Sequence, residues 1–187
     1  LFNAVAAFKV DVGNFAGTSV AYAETKVTFE GQSIRLIDLP GTYSISSHDL
    51  AEKVARDFLL SGEVDALINV VDASMLSRSL EFSLQLIEMR APMVVCLNMM
   101  DEALRKGMDI DLTRLEGLLG LPVRSAVAVV GTGIDEVFRQ AIRVAGQNVA
   151  SVEPRYDLEI EHSLARLLAG YPESLRDAWP HSARFVA

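Results

Sequence analysis

"APMVVCLNMMD", Ala91 to Asp101, decides the fold of this chain. Its first half is an unbroken apolar run with two adjacent valines and no polar face. That is the pattern of a strand covered on both sides, as in a parallel sheet held between helices. "DALINVVDAS" (Asp65 to Ser74) repeats the pattern upstream, and "LPVRSAV" (Leu121 to Val127) is a shorter version downstream. The intervening segments are amphipathic at the helical period. Their apolar positions are Leu50, Val54 and Phe58, then Leu80, Leu84 and Ile87, then Leu112, Leu115 and Leu119. Asp111 suits the cap of the last of these, and Gly120 its stop. A final helix is predicted from Ile134 to Ala145. Ahead of them all, Val20 to Phe29 and Ser33 to Asp38 are β-rich and flank "EGQ", a hairpin turn. Strands alternating with helices predict a layered α/β domain, with a mostly parallel sheet, helices on both faces and right-handed crossovers. Such sheets take ligands beyond the carboxyl ends of their strands.

The 187 residues suit one domain with a short appendage. Half are hydrophobic and 22% are charged, which excludes a disordered chain. A net charge of -8 argues against nucleic acid as a partner. It leaves a bound nucleotide open, because phosphates are held largely by backbone N–H groups. The single cysteine, Cys96, allows no internal disulfide and points to a reducing compartment; its apolar neighbours predict a buried thiol. No run reaches the roughly 18 apolar residues of a membrane span, and no signal peptide is visible. The opening "LFNAVAAF" looks like a helix already under way, so the expectation is a fragment. After Gly146, "QNVASVEP" reads as a linker and Asp157 to Ala169 as a helix. The tail, interrupted by Pro172 and Pro180, reads as the start of a second helical unit. The predicted division is therefore 1–148 and 149–187.

Two turns on the predicted sheet edge carry chemistry. In "SIRLIDLPGTYSISS" (Ser33 to Ser47) a strand ends in Asp38, followed by Leu39, Pro40 and Gly41. A simple turn explains Pro40 and Gly41 but not the acid. Asp-x-x-Gly suits a nucleoside triphosphate: Asp38 would hold Mg²⁺ through a water, since Mg²⁺ sheds its hydration reluctantly. Gly41 would offer its N–H to the γ-phosphate. In "LNMMD", Asn98, Met99, Met100 and Asp101 form an Asn-x-x-Asp turn. The Asp101 carboxylate can accept two parallel hydrogen bonds from the N1–H and amine of guanine, which adenine cannot supply. Asn98 would bond the N7 edge and tie neighbouring loops together. Taken alone, Asn-x-x-Asp is equally a helix cap after a strand; it gains force from standing about sixty residues after Asp-x-x-Gly. "DVGNFAGTSV" (Asp11 to Val20) reads as a Gly-rich loop, where Gly17, Thr18 and Ser19 approach the phosphates and a hydroxyl of Thr18 or Ser19 completes the Mg²⁺ shell. No Gly-x-x-x-x-Gly-Lys-Ser/Thr sequence occurs in the chain. That loop is expected to precede Leu1, so the chain as given should bind GTP poorly. Asp72 reads as a cap for the helix that follows it. Met93, Met99, Met100 and Met108 do not make an iron site, because thioethers suit softer metals.

With these residues together, the chain closely resembles the cytosolic GTPase region of the ferrous iron transport protein B family. The matching stretches are "LFNA", "VGNFAG", "IRLIDLPGTYSISS", "ARDFLLSGEVDALINVVDASMLSRSLEFSLQLIE", "LNMMDEA" and "GTGIDEV". The resemblance implies a P-loop-NTPase-like G domain followed by the start of a small helical regulatory subdomain. It implies a GTP/GDP switch with Mg²⁺, and leaves a role for K⁺ open. It places the domain on the cytoplasmic face of the bacterial inner membrane, in a multipass Fe²⁺ transporter. The implied partners are the parent's transmembrane domain and helical subdomain, with homo-oligomerisation left open. Asp38 to Gly41 match the Mg²⁺/γ-phosphate motif and Asn98 to Asp101 the guanine motif, while Ser19 takes the place of the first-switch Thr. In the base-contacting loop, Val127 and Ala128 stand where the family has Ser-Ala; Ala128 keeps the N–H for guanine O6, and Val129 replaces a basic residue. Phe15 and Ala16 replace a Trp-Pro pair. Thr42 stands where Ras-like enzymes carry a water-positioning Gln, and neither switch offers an arginine finger, so hydrolysis is expected to be slow. A soluble ribosome- or tRNA-associated GTPase and a non-hydrolysing interaction domain stay open as alternatives.

Overall fold

The computed structural model describes residues 1–5, 11–14, 21–41, 50–61, 63–145, 155–170 and 172. In chain order the elements are α1 (Phe2–Val5), β1 (Asp11–Asn14), β2 (Ala21–Phe29), β3 (Gln32–Asp38), α2 (Leu50–Leu60) and β4 (Leu67–Asp72). A 3-10 turn (Ala73–Met75) leads into α3 (Leu76–Glu88), then β5 (Met93–Asn98), α4 (Met100–Arg105) and α5 (Leu112–Leu119). The chain continues through β6 (Val123–Ser125) and α6 (Ile134–Ala145) to α7 (Leu158–Gly170).

The strands form two three-stranded sheets. β4-β5-β6 is parallel with β5 in the middle, and β1-β2-β3 is antiparallel. The α/β expectation holds, with the parallel character confined to β4-β5-β6. Met93 to Leu97 of β5 are fully buried, because the two faces of the strand serve two cores. Met93, Val95 and Leu97 pack with Val71, Leu86, Leu119 and Val123. Val94 and Cys96 pack with Ala126 and with Val137 and Ala141 of α6. Helices therefore lie on both faces, and a strand between them has no place for a polar side chain. Burying an aliphatic side chain of this size stabilises by about 1.5–3 kcal/mol. The same burial pushes the Cys96 thiol up to about 11, which keeps it protonated and unreactive.

β2 and β3 form the predicted hairpin, with Phe29 opposite Gln32. Its two turn residues, Glu30 (φ 48°) and Gly31 (φ 80°), are both left-handed, as a two-residue turn matching the strand twist requires. One expectation is corrected here. Asp11–Asn14, read as the start of a Gly-rich loop, is a strand antiparallel to β2, from Asp11 opposite Glu24 to Asn14 opposite Ala21. Gly13 weakens its strand signal, but the nine-residue β2 presents a row of N–H and C=O groups that the segment satisfies.

The α5 stripe is as predicted, with Leu119 buried and Leu112 and Leu115 packed on the core, while those of α2 and α3 are rotated from prediction. α2 buries Val54, Ala55 and Leu59 and exposes Leu50; α3 buries Ser83, Leu86 and Ile87 and exposes Leu84. A four-residue spacing drifts around a helix of 3.6 residues per turn. Ser83, moreover, is buried for a polar reason: its Oγ accepts from Nδ2 of the buried Asn69 at 2.6 Å. The capping expectations hold. Asp111 Oδ1 accepts from the N–H of Arg114 at 2.9 Å, and Asp72 Oδ1 from that of Ser74 at 2.8 Å. Gly120 (φ 64°) ends α5. α6 has its predicted bounds, and α7 starts just after Asp157, whose Oδ1 accepts from the N–H of Ile160 at 3.0 Å. The rest of the predicted opening helix (6–8), the linker with its 148/149 boundary and the tail after Pro172 lie outside the described residues. No described helix is long and apolar enough to cross a membrane.

Candidate functional site

β3 ends in Asp38, whose carboxyl is exposed and makes no hydrogen bond or ion pair with other described residues. Desolvation raises its pKa above the ordinary carboxylate value. Leu39 is half-buried against the core that holds Val71, Ala73 and Leu97, which anchors the turn. A Cβ at Gly41 would meet nothing within 4 Å, and its φ is not left-handed. Nothing among the described residues therefore demands glycine at 41. Arg35 faces solvent and is engaged by Glu24 through Nε and Nη2 at 2.8 and 2.9 Å.

β5 delivers Asn98, and its side chain tests the cap reading of Asn-x-x-Asp. Asn98 does not cap α4. The N-cap is Met99, in the left-handed region (φ 62°, ψ 34°) with no side-chain hydrogen bond. Asn98 Oδ1 instead accepts the backbone N–H of Ala128 at 3.0 Å, thirty residues away. The plain cap reading is thereby overturned, and the expected tie between loops is present. A left-handed Met costs about 1–2 kcal/mol, strain of the kind that collects at functional turns. It steers the chain so that Asp101 falls in the first turn of α4, exposed and without a hydrogen bond or ion pair among the described residues. Met100 packs against the same core as Leu39. The turns after β3 and β5 thus rest on one cluster.

β6 runs into a loop built on backbone bonds. Ala126 N–H donates to Leu97 O at 2.8 Å, Val127 N–H to Thr132 O at 3.0 Å and Gly131 N–H to Ala128 O at 3.3 Å. The Val127–Thr132 bridge is antiparallel. Ala128 is buried beneath the tip, where Val129 and Val130 are exposed. The N–H that the resemblance assigns to guanine O6 is donated to Asn98, so a base oxygen would have to share it. Two residues of this loop escaped the sequence reading. Thr132 closes it, and Gly133 (φ 78°) lies so close to β6 that a Cβ there would stand 2.1 Å from Ser125 O. The Gly-Thr-Gly at 131–133 was their signal. Gly17, Thr18 and Ser19, like Phe15, Ala16 and Thr42, lie outside the described residues. Among the described residues no three His, Cys, Asp or Glu side chains cluster as a metal site.

Comparison with known proteins places this geometry. A family profile described as ferrous iron transport protein B matches residues 1–141. The Fe(2+) transporter FeoB of Escherichia coli is 42% identical over 139 residues, which are 72% of this chain and 18% of that protein. The chain thus spans less than a fifth of the length of that curated relative. The cytosolic domain of the T. maritima FeoB iron transporter in its GMPPNP form superposes with a TM-score of 0.88 at 34% identity, over 98% of this chain and 72% of that one. Its GDP form I gives a TM-score of 0.88 at 34% identity, over 98% and 71%. With the profile covering most of the chain and the identity at this level, the chain belongs to the ferrous iron transport protein B family.

Proposed function

We propose that this chain is the guanine-nucleotide switch of a membrane transporter for Fe²⁺. The observation that carries the reading is the Asn98–Ala128 bond. It removes Asn98 from capping duty and joins the β5 turn to the β6 loop, beside an Asp101 carboxylate that has no hydrogen bond or ion pair among the described residues. Asp101 would accept the N1–H and amine of guanine, and Asn98 Nδ2 would face N7. At the other end of the ligand, Asp38 suits Mg²⁺: it is an exposed carboxylate with no hydrogen bond or ion pair among the described residues. Ser19 or Thr18 would add a hydroxyl. When bound, Mg²⁺ supplies charge neutralisation at the β- and γ-phosphates. The residues themselves orient: Gly41 leaves an open approach for the γ-phosphate, and Leu39 holds its turn on the core.

GTP hydrolysis and its coupling to iron uptake belong, in this reading, to the full-length protein at the cytoplasmic face of the membrane. These 187 residues hold no Gly-x-x-x-x-Gly-Lys-Ser/Thr sequence, so alone they bind nucleotide weakly. The test is titration calorimetry on the full-length protein with GDP, GTP and ADP in Mg²⁺. Guanine nucleotides should bind and ADP should not; equal binding of GDP and ADP overturns the reading.

Asp38 also yields a pH prediction. Its folded pKa lies above the unfolded value, so the native chain holds this proton more tightly, and ionisation costs stability once the pH exceeds the folded pKa. The cost fades as the pH falls through that pKa towards the unfolded value of about 3.9. Asp38→Asn should therefore melt no lower than wild type at pH 7, with any gain gone at pH 3, while Mg²⁺-dependent GTP binding is lost. A lower melting temperature at pH 7 would mean that the carboxylate has a structural task instead.

A further inference from the structure

The base loop, residues 126 to 133, hangs between two stems: β6 enters it and α6 leaves it. Arg124, the middle residue of β6, spans both. Its Nη2 donates to Gln140 Oε1 at 3.0 Å and its Nε to Glu136 Oε1 at 3.4 Å, both on α6. Its Nη1 donates to Glu116 Oε2 of α5 and to the Val123 carbonyl, each at 2.7 Å. Glu116 Oε2 also accepts the Val123 N–H at 3.0 Å. All three guanidinium nitrogens are thus engaged, by α5, β6 and α6 together.

Apolar packing alone does not fix the register of these stems. Val137 and Ala141 of α6 lie against Val94 and Cys96 of β5, which sets how far the helix stands from the sheet; such burial is non-directional. The forked bonds of Arg124 are directional, and they set how far α6 has slid along β6. One end of the loop is fixed by the bond from Ala126 N–H to Leu97 O, and Gly133 lies at the other, where α6 begins. We propose that Arg124 is a positioning residue for guanine recognition: it holds the two stems in register and so aims the Ala128 amide at O6 of the base. The inference rests on the nucleotide reading above. Asp101 stands on α4, outside this cross-link, so the N1–H and amine edge of the base is read separately.

Exchange of the base separates the two edges. In 6-thioguanosine diphosphate O6 becomes sulfur while the N1–H and amine remain; inosine diphosphate keeps O6 and lacks the amine. In the full-length protein with Mg²⁺, wild type should prefer GDP over the 6-thio analogue by about two- to tenfold, the scale of one neutral hydrogen bond. Arg124→Met should bring that preference close to one and leave the preference for GDP over inosine diphosphate at its wild-type value. Arg124→Lys should match Arg124→Met, because an ammonium keeps the charge without the fork. Gln140→Met, which cuts the shorter bond to α6, should lower the same preference and carries the test should Arg124→Met fail to fold. A wild type indifferent to sulfur at O6, variants that keep full discrimination, or loss of both preferences together each overturns the role of Arg124 alone. A wild-type protein that binds GDP and ADP equally, or neither, overturns the nucleotide reading and this inference with it.

Discussion

Replacing Asp101 with asparagine in the full-length protein is expected to lower the preference for guanine over adenine by about a hundredfold or more. The carboxylate offers two acceptors side by side, matched to two adjacent donors on guanine. An amide at the same place offers one acceptor and turns an N–H towards the second donor. Hydrogen bonds to a charged group contribute about 1.5–3 kcal/mol each, and every 1.4 kcal/mol is a factor of ten. The loss falls on guanine alone, because adenine uses neither bond. The measurement is the ratio of GDP to ADP dissociation constants in Mg²⁺. Stability should change little, since Asp101 is exposed and makes no polar contact with other described residues. A ratio equal to that of wild type removes Asp101 from the base site.

Gly133→Ala is expected to be strongly destabilising. The added carbon would stand 2.1 Å from Ser125 O and 3.1 Å from Ala126 Cα. Both obstacles are backbone, so no rotamer change relieves them, and φ 78° already disfavours any side chain. β6 or the start of α6 must move, with the base loop between them. The cost should be about 3 kcal/mol or more, lowering the melting temperature by about 6–12 °C in a domain of this size. Gly41→Ala is the matching control. It meets open space at an ordinary φ, so its melting temperature should stay at the wild-type value. Any effect on triphosphate binding then belongs to the ligand. Equal melting losses in both variants would contradict the difference between the two glycines.

What was legible in the sequence follows from which forces are local. Met93 to Leu97 announced a doubly covered strand because burial on two faces leaves no polar position. Asp111, Gly120 and Asp72 announced their caps because a cap is made within three or four residues. The β1 strand was hidden, since Gly13 lowers its propensity and its pairing depends on a partner strand ten residues away. The buried face of α3 was displaced by Ser83, whose burial depends on Asn69, fourteen residues earlier in the chain. At the site, Asp38 and Asp101 could be read from their spacing after strands. The bond from Ala128 to Asn98 could not, and nor could the left-handed Met99, because each is fixed by where β5 and β6 come to lie.

Because Asn98 already holds the Ala128 amide, the loop from 126 to 133 is braced by folding alone, and on the nucleotide reading it would need little reordering for a purine. The conformational entropy of ordering it is spent during folding and not at the moment of association. On that reading, a base entering this end of the site would meet a rigid template, and recognition there would approach lock and key. Nucleotides sharing the guanine ring should then arrive at similar rates, and differ chiefly in how long their phosphates keep them.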